Sequence, residues 1–273
     1  MEIIECILTD SYCYQCKGAP GKYPAKPAGI LVHSSGDNQA YLKRYVQPSP
    51  DDPNYENLIL RLGKNKYNNS WNRNVKKSMH YMIGKDAYGK VSVAHLLPLD
   101  ICAWGVANGK KGSYNYQPMY IQFEMQEGNK SAADFDAVWD LATELCAELC
   151  KRFGWTEENI TSHYEAHAAG YANAHSDPKG YFAKHGLTMD DFRQRVGELL
   201  NHKPEPKKIE VGDTVDFTGT KQWTNANKLL SSKATPCKAV VKQIYQLGKS
   251  KHPYLIKGNG VYGWVNAEDV KRI

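Results

Sequence analysis

Residues 162–177 read SHYEAHAAGYANAHSD and bring His163, His167, His175, Glu165 and Asp177 into one short stretch. Imidazole and carboxylate groups hold divalent metals, and a catalytic zinc takes about three such ligands with a further position left for water. His163 and Asp177 lie fourteen positions apart, so no single helical face aligns them and the chain between must fold back. HYEAH puts its glutamate at the wrong offset for the H-E-x-x-H zinc helix. A solvated histidine-rich loop has the same composition, so a metal site requires a further ligand from elsewhere in the chain. His33 is the candidate, because it ends the apolar run AGILV and precedes SSG, where a strand delivers a side chain to the sheet edge. Glu124 sits in the apolar strand context of MYIQFEMQ. Strand alternation alone would turn it outward, whereas burial among apolar neighbours would raise its pKa and suit a proton shuttle.

The elements that must position these groups alternate between strand and helix. AGILVHSSG, HYMIG, KVSVAHLL and MYIQFEMQ read as four strands. SAADFDAVWDLATELCAELCKRFG opens with Ser131 and Asp134 at capping-box spacing and repeats Phe135, Val138, Ala142, Leu145 and Leu149 with helical period. TMDDFRQRVGELL has the same opening, Thr188 with Asp191, before Phe192, Val196 and Leu199. Residues 47–69, QPSPDDPNYENLILRLGKNKYNN, show little periodicity and read as a long loop near the site. The expected fold is α/β: a central mixed β-sheet flanked by α-helices, with a small all-β barrel at the C-terminus.

That division follows from composition. Around NHKPEPKKIEVGD the apolar periodicity stops, which gives a domain over 1–202, a linker over 203–209 and a second domain over 210–273. Residues 203–273 carry 13 Lys and Arg against 6 Asp and Glu, so the basic character of the chain sits there. Seven cysteines, an odd number scattered through 273 residues, argue against a paired disulfide scaffold. Cys13 and Cys16 form a lone C-x-x-C, whereas a zinc ribbon needs a second pair. The longest apolar runs fall far short of the roughly 20 residues of a membrane span. MEIIECILTDSYCYQC is acidic from the start and lacks the basic then apolar pattern of a secretory signal, so cytoplasmic synthesis is expected.

AGILVHSSG, HYMIGKDAYGKV, MYIQFEMQEG, SHYEAHAAGYANAHSDPKGYF and GLTMDDFRQRV, in this order and spacing, resemble the zinc-dependent N-acetylmuramoyl-L-alanine amidases of the second type. That group includes amidase-type phage lysozymes and is related to peptidoglycan recognition proteins. The resemblance covers roughly residues 1–200 and is strongest to prophage endolysins of Gram-positive hosts. It implies a Zn2+ held by His33, His163 and Asp177, with Glu124 as general acid and base. It places His175 where the family has a basic side chain near the substrate carbonyl; His175 is also the rival to Asp177 as third ligand. It gives no catalytic counterpart to Glu165, His167 or His80, which read as supporting groups. Two departures stand out: Met79 precedes His80 where relatives carry tyrosine, and AWGVANG has Gly105 after Trp104 where relatives have histidine. Trp104 is a substrate-binding candidate by position.

VGDTVDFTG, HPYLIKG and VYGWVNAEDV resemble the bacterial SH3-like wall-binding modules that follow many endolysin catalytic domains. Trp223, Tyr254, Tyr262 and Trp264 then become candidates to stack on sugar or peptide, Trp223 and Tyr262 foremost, and the positive charge favours anionic wall polymers. Trp264 and Val265 read equally well as barrel core. The expected activity is hydrolysis of the amide between N-acetylmuramic acid and L-alanine, with bacterial peptidoglycan as partner and the wall as place of action. Neither nucleic acid nor a membrane is an expected partner. Two other classes remain: a non-catalytic peptidoglycan-binding protein on the same scaffold, and a cysteine-dependent wall endopeptidase using Cys13 or Cys16.

Overall fold

The structure, a computed structural model, describes residues 1–15, 26–65, 76–201 and 208–273. Cys16 and most of the linker read at 203–209 lie outside the described residues. Two compact units are present, Met1–His202 and Lys203–Ile273.

In the first unit six strands form a mixed sheet in the order β1 (Ile3–Glu5), β4 (Val91–His95), β3 (Tyr81–Lys85), β5 (Tyr120–Met125), β2 (Gly29–Ser34) and β6 (Ile160–Ser162). The β3–β4 pair is antiparallel and the other pairs are parallel. The four strands expected from alternation are all present, within a mixed sheet flanked by helices as expected. Alternation assigns the faces. Ile30, Val32, Ile121, Phe123 and Met125 pack under α2 (Ala132–Phe153) and α5 (Met189–Asn201). The intervening residues Leu31, His33, Gln122 and Glu124 belong to the other face, where β2 and β5 pair Leu31 with Gln122 and His33 with Glu124. One strand pair therefore supplies both the core and the chemistry.

Helix α2 begins where its sequence signals it: the Ser131 side chain accepts the Asp134 N–H at 3.1 Å, and Gly154 closes it at φ 71°. Its stripe of Phe135, Val138, Ala142, Leu145 and Leu149 is buried. The segment 47–69 is a correction, because a helix, α1 (Tyr55–Leu62), occupies its middle. Only Leu58 and Leu62 of α1 are buried, one (i, i+4) pair, which is too short a repeat to register as periodicity. The three-residue strands β1 and β6 escape alternation for the same reason.

Helix α3 (His163–Ala169) carries the first half of the histidine cluster. Ser162 and Glu165 cap it reciprocally: Ser162 Oγ accepts the Glu165 N–H at 3.4 Å and Glu165 Oε2 accepts the Ser162 N–H at 2.9 Å. Arg193 of α5 donates to both Glu165 oxygens, at 3.0 and 3.2 Å. Burial would raise the Glu165 pKa, but the Arg193 and Ser162 bonds outweigh it and hold the carboxyl below its ordinary value. Glu165→Ala is expected to destabilise the unit by about 1–2 kcal/mol at neutral pH in denaturant melts. Because the folded pKa is depressed, that difference should shrink as pH falls through the carboxylate range.

The second unit is all β. Strands β12 (Val261–Val265), β11 (Tyr254–Gly258), β10 (Cys237–Ile244), β7 (Thr214–Phe217) and β13 (Val270–Arg272) form an antiparallel sheet, beside a two-stranded ribbon of β8 (Lys221–Gln222) and β9 (Ser232–Lys233). Val215, Phe217, Val241, Ile256, Val265 and Val270 fill its core. The expected exposure of Trp223 and Tyr254 is corrected, since they are only 8% and 5% exposed. Trp223 stacks on His252 at 3.6 Å and pairs backbone to backbone with Trp264. Tyr262 is 67% exposed, with the Lys257 ammonium 5.2 Å from its ring centre.

Candidate active site

The C-terminal end of β2, the start of α3 and the residue before Pro178 converge on one point. His33, His163 and Asp177, all buried, place their nearest ligand atoms within 4.8 Å of one another. The chain between the last two folds back as their spacing demands: Gly170 turns it at φ 92°, and Asp177 accepts the Tyr164 N–H through its main-chain oxygen at 3.3 Å. His33 Nδ1 is 3.0 Å from Asp177 Oδ2, and His163 Nδ1 is 3.0 Å from Asp177 Oδ1.

Hydrogen bonds on the far side of each ring decide where the imidazole protons sit. Gln122 donates its amide to Asn115 Oδ1 at 2.9 Å, which turns its own Oε1 toward His33 Nε2 at 3.2 Å. Asn173 Oδ1 accepts the Ala107 N–H at 2.8 Å and faces His163 Nε2 at 3.3 Å. Each oxygen can only accept, so each neutral ring carries its proton on Nε2 and points the Nδ1 lone pair at Asp177. His163 Nδ1 is buried and makes no hydrogen bond, despite its closeness to Asp177. Two lone pairs and a carboxylate facing one another form an electron-rich pocket that a divalent cation suits. Zinc takes nitrogen and oxygen donors of this kind, and two imidazoles with a carboxylate are such a donor set.

Ionisation is consistent with this arrangement. Burial lowers the His33 pKa and so favours the neutral ring that binds metal. Glu124 moves the other way: burial pushes it up to about 8, helped by the negative charges of Asp177 and Asp37.

A cavity of about 420 Å3 opens over these groups, with His33, Glu124, His163, His175, Asp177 and Trp104 in its wall. The His175 ring is 54% exposed, stacks on His163 at 4.8 Å and contacts Asp177 Oδ1 through Nδ1. It meets the carboxylate from outside the His33–His163–Asp177 group. Trp223 and Tyr262 belong to the second unit and are not part of this cavity. His80 is fully buried; it donates through Nε2 to Ile101 O at 2.9 Å and accepts the Gln122 N–H at 3.0 Å, and burial lowers its pKa to about 4. It props the strand that carries Gln122 and Glu124. Among the described residues no cysteine lines the cavity, and burial pushes the thiols of Cys6, Cys146 and Cys150 up, away from nucleophilic thiolate.

Gln122 and Asn173 were not legible as site residues. One signal was present for Gln122, two positions before Glu124 on the same strand face. The glycine after Trp104 has its reason here: a Cβ on Gly105 would lie 2.2 Å from Gln122 Oε1. Gln122→Ala and Asn173→Ala each free one imidazole from its tautomer and orientation, and each should weaken binding of a divalent metal about 10- to 100-fold in competition with a chelating dye.

No curated protein matches this sequence at a significant level. Among solved structures, the Staphylococcus aureus hydrolase AmiA in complex with its ligand is similar at TM-score 0.48 and 16% identity, over 73% of this chain and 83% of that one. The PlyG catalytic domain is similar at TM-score 0.47 and 20% identity, over 76% and 100%. A mutant endolysin from Bacillus subtilis gives TM-score 0.45 and 17% identity, over 72% and 99%. The family described as N-acetylmuramoyl-L-alanine amidase matches residues 23–180, which span His33, Glu124, His163, His175 and Asp177, and the chain belongs to that family of peptidoglycan amide hydrolases.

Proposed function

We propose that residues 1–202 form a zinc-dependent catalytic domain that cleaves the amide between the lactyl group of N-acetylmuramic acid and L-alanine. The observation that carries this reading is the buried convergence of two imidazole Nδ1 atoms on Asp177 in one cavity with Glu124. His33, His163 and Asp177 would hold the ion. Zinc, when bound, polarises the scissile carbonyl and lowers the pKa of water.

The chain's own groups do the remaining work. Glu124, a carboxyl whose environment raises its proton affinity, takes a proton from the attacking water at its carboxylate and returns it to the leaving nitrogen of L-alanine. His175, exposed at the rim, donates toward the carbonyl oxygen as negative charge grows there. Trp104 lines the wall of the cavity and offers an apolar face to the substrate. Asp177 stays ionised and ties His175 to the metal-holding pair.

The second unit, 210–273 after a linker at 203–209, serves in this reading as an SH3-like wall-binding domain. Support comes from its small antiparallel sheet, its excess of Lys and Arg and the exposed Tyr262. Anionic wall polymers are its ligand class, with electrostatic attraction that weakens with salt. The protein is in this account an endolysin acting on the cell wall. No helix of the described residues is long and apolar enough to cross a membrane.

The test is turnover of purified walls. Release of new amino termini should stop on treatment with a chelator, resume with added zinc and persist through thiol alkylation. Activity that survives complete metal removal, or is lost on alkylation alone, would overturn the reading.

A further inference from the structure

The loop that joins β8 to β9 in the second unit carries two adjacent leucines on its surface: Leu229 is 80% exposed and Leu230 87%. Polar contacts hold this loop from behind. The buried Trp223 donates its indole Nε1–H to Leu229 O at 3.4 Å, and the buried His252 donates through Nε2 to Lys228 O at 3.1 Å. Ala226 O accepts the His252 N–H at 2.8 Å, and Asn227 Oδ1 accepts the Lys251 N–H at 3.2 Å. The loop is thus tied to the segment between β10 and β11, where Leu247 is a further exposed leucine.

Charge around the leucines has one sign. Residues 218–267 contain eight lysines and no Asp, Glu or Arg. Lys228 adjoins Leu229 in the chain, Lys251 is held to the loop through its main chain, and both side chains are exposed. Lys221 stands directly opposite Lys233 across the β8–β9 ribbon. Like charges placed opposite each other on a sheet cost stability, and an anionic surface laid against them offsets that cost.

These two features together select a partner. Leucine has no aromatic face for a sugar to stack on, and a phosphate polymer offers no apolar volume in which to bury it. An anionic lipid bilayer supplies both halves, an acyl boundary that takes leucine and headgroups that attract lysine. We propose that residues 223–231 form a membrane-docking loop, which sets Leu229 and Leu230 into the interface of an anionic bilayer with Lys228 and Lys251 at the headgroups. Two leucines in a short loop leave no trace in a search for membrane spans, so this contact goes beyond the expectation of no membrane partner. It is independent of the amidase reading and adds a second surface to the wall-binding role of this unit.

The experiment sediments the full chain with vesicles of phosphatidylglycerol, with vesicles of phosphatidylcholine and, in parallel, with lipid-free purified walls. Wild type should bind the phosphatidylglycerol vesicles about tenfold more tightly than the phosphatidylcholine ones. Leu229→Ser combined with Leu230→Ser should weaken that binding about tenfold, with Tm and wall binding unchanged, because both side chains stand in solvent. Lys228→Gln combined with Lys251→Gln should weaken it as well and flatten its fall with added salt. Vesicle binding that survives loss of the leucine pair would overturn the proposal and leave charge alone as the cause. An equal loss of wall binding in that variant would assign the leucines to a wall polymer, and a lowered Tm would assign them to packing within the protein; either overturns the docking loop. Wild type that cuts walls but ignores both kinds of vesicle would sink the loop and leave the amidase reading standing. Leucine-dependent binding to anionic vesicles by a chain that leaves walls uncut would do the reverse.

Discussion

Glu124→Gln is expected to lower kcat on wall substrate by about a hundred- to ten-thousand-fold while the protein keeps its zinc. The substitution preserves shape and removes only the capacity to take and return a proton. The same carboxyl should leave a mark on stability. In the metal-free chain its pKa is raised to about 8, above the ordinary glutamate value, because folding buries it near Asp177 and Asp37. A raised folded pKa contributes stability that is complete below the unfolded value and lost as pH climbs through the folded one. Metal-free Glu124→Gln should therefore melt higher than metal-free wild type at pH 8 and at the same temperature at pH 4, by calorimetry. A bound dication would stabilise the carboxylate and bring its pKa down, so the stability difference should narrow when zinc is added. Lost activity with no gain in metal-free stability at pH 8 would mean that folding does not raise the proton affinity of Glu124 as described.

The second large effect concerns the metal. His33→Ala, His163→Ala and Asp177→Ala should each reduce bound zinc from about one equivalent to a small fraction and abolish detectable turnover, since a three-ligand site loses its hold when one ligand is removed. His175→Ala should retain zinc and turn over slowly, because His175 touches Asp177 from an exposed position. Elemental analysis of the four proteins separates the roles. Zinc lost from His175→Ala but kept by Asp177→Ala would exchange the two assignments. Asp177→Ala also removes the carboxylate that faces the two imidazole lone pairs, so its metal-free form is expected to fold.

Legibility in the sequence tracked the length of the signal. Helix α2 could be read end to end, because its stripe repeats over several turns between a serine cap and a glycine stop. Strands β2 and β5 were legible from alternation, but the inward direction of Glu124 was not, since period two gives two faces without saying which is the site. Register with His33 settles it. Helix α1 and strands β1 and β6 are too short to repeat. His33, His163 and Asp177 had suitable chemistry, yet their assembly rested on the family resemblance, because nothing local ties a strand end to residues far along the chain. Gln122 and Asn173 act by orienting those rings, a role set by tertiary placement that leaves no pattern. Trp223 misled in the opposite sense: in a short β segment an aromatic looks like a surface anchor, whereas here it packs on His252.

The bond that is cut tests the account most directly. Purified peptidoglycan digested by the zinc-loaded full chain should yield, by mass spectrometry and end-group labelling, peptides with free L-alanine amino termini and glycan strands with intact lactyl carboxylates. New reducing sugar ends, amino termini on any other residue, or no products at all would contradict the assignment of His33, His163, Asp177 and Glu124 to muramoyl-amide hydrolysis.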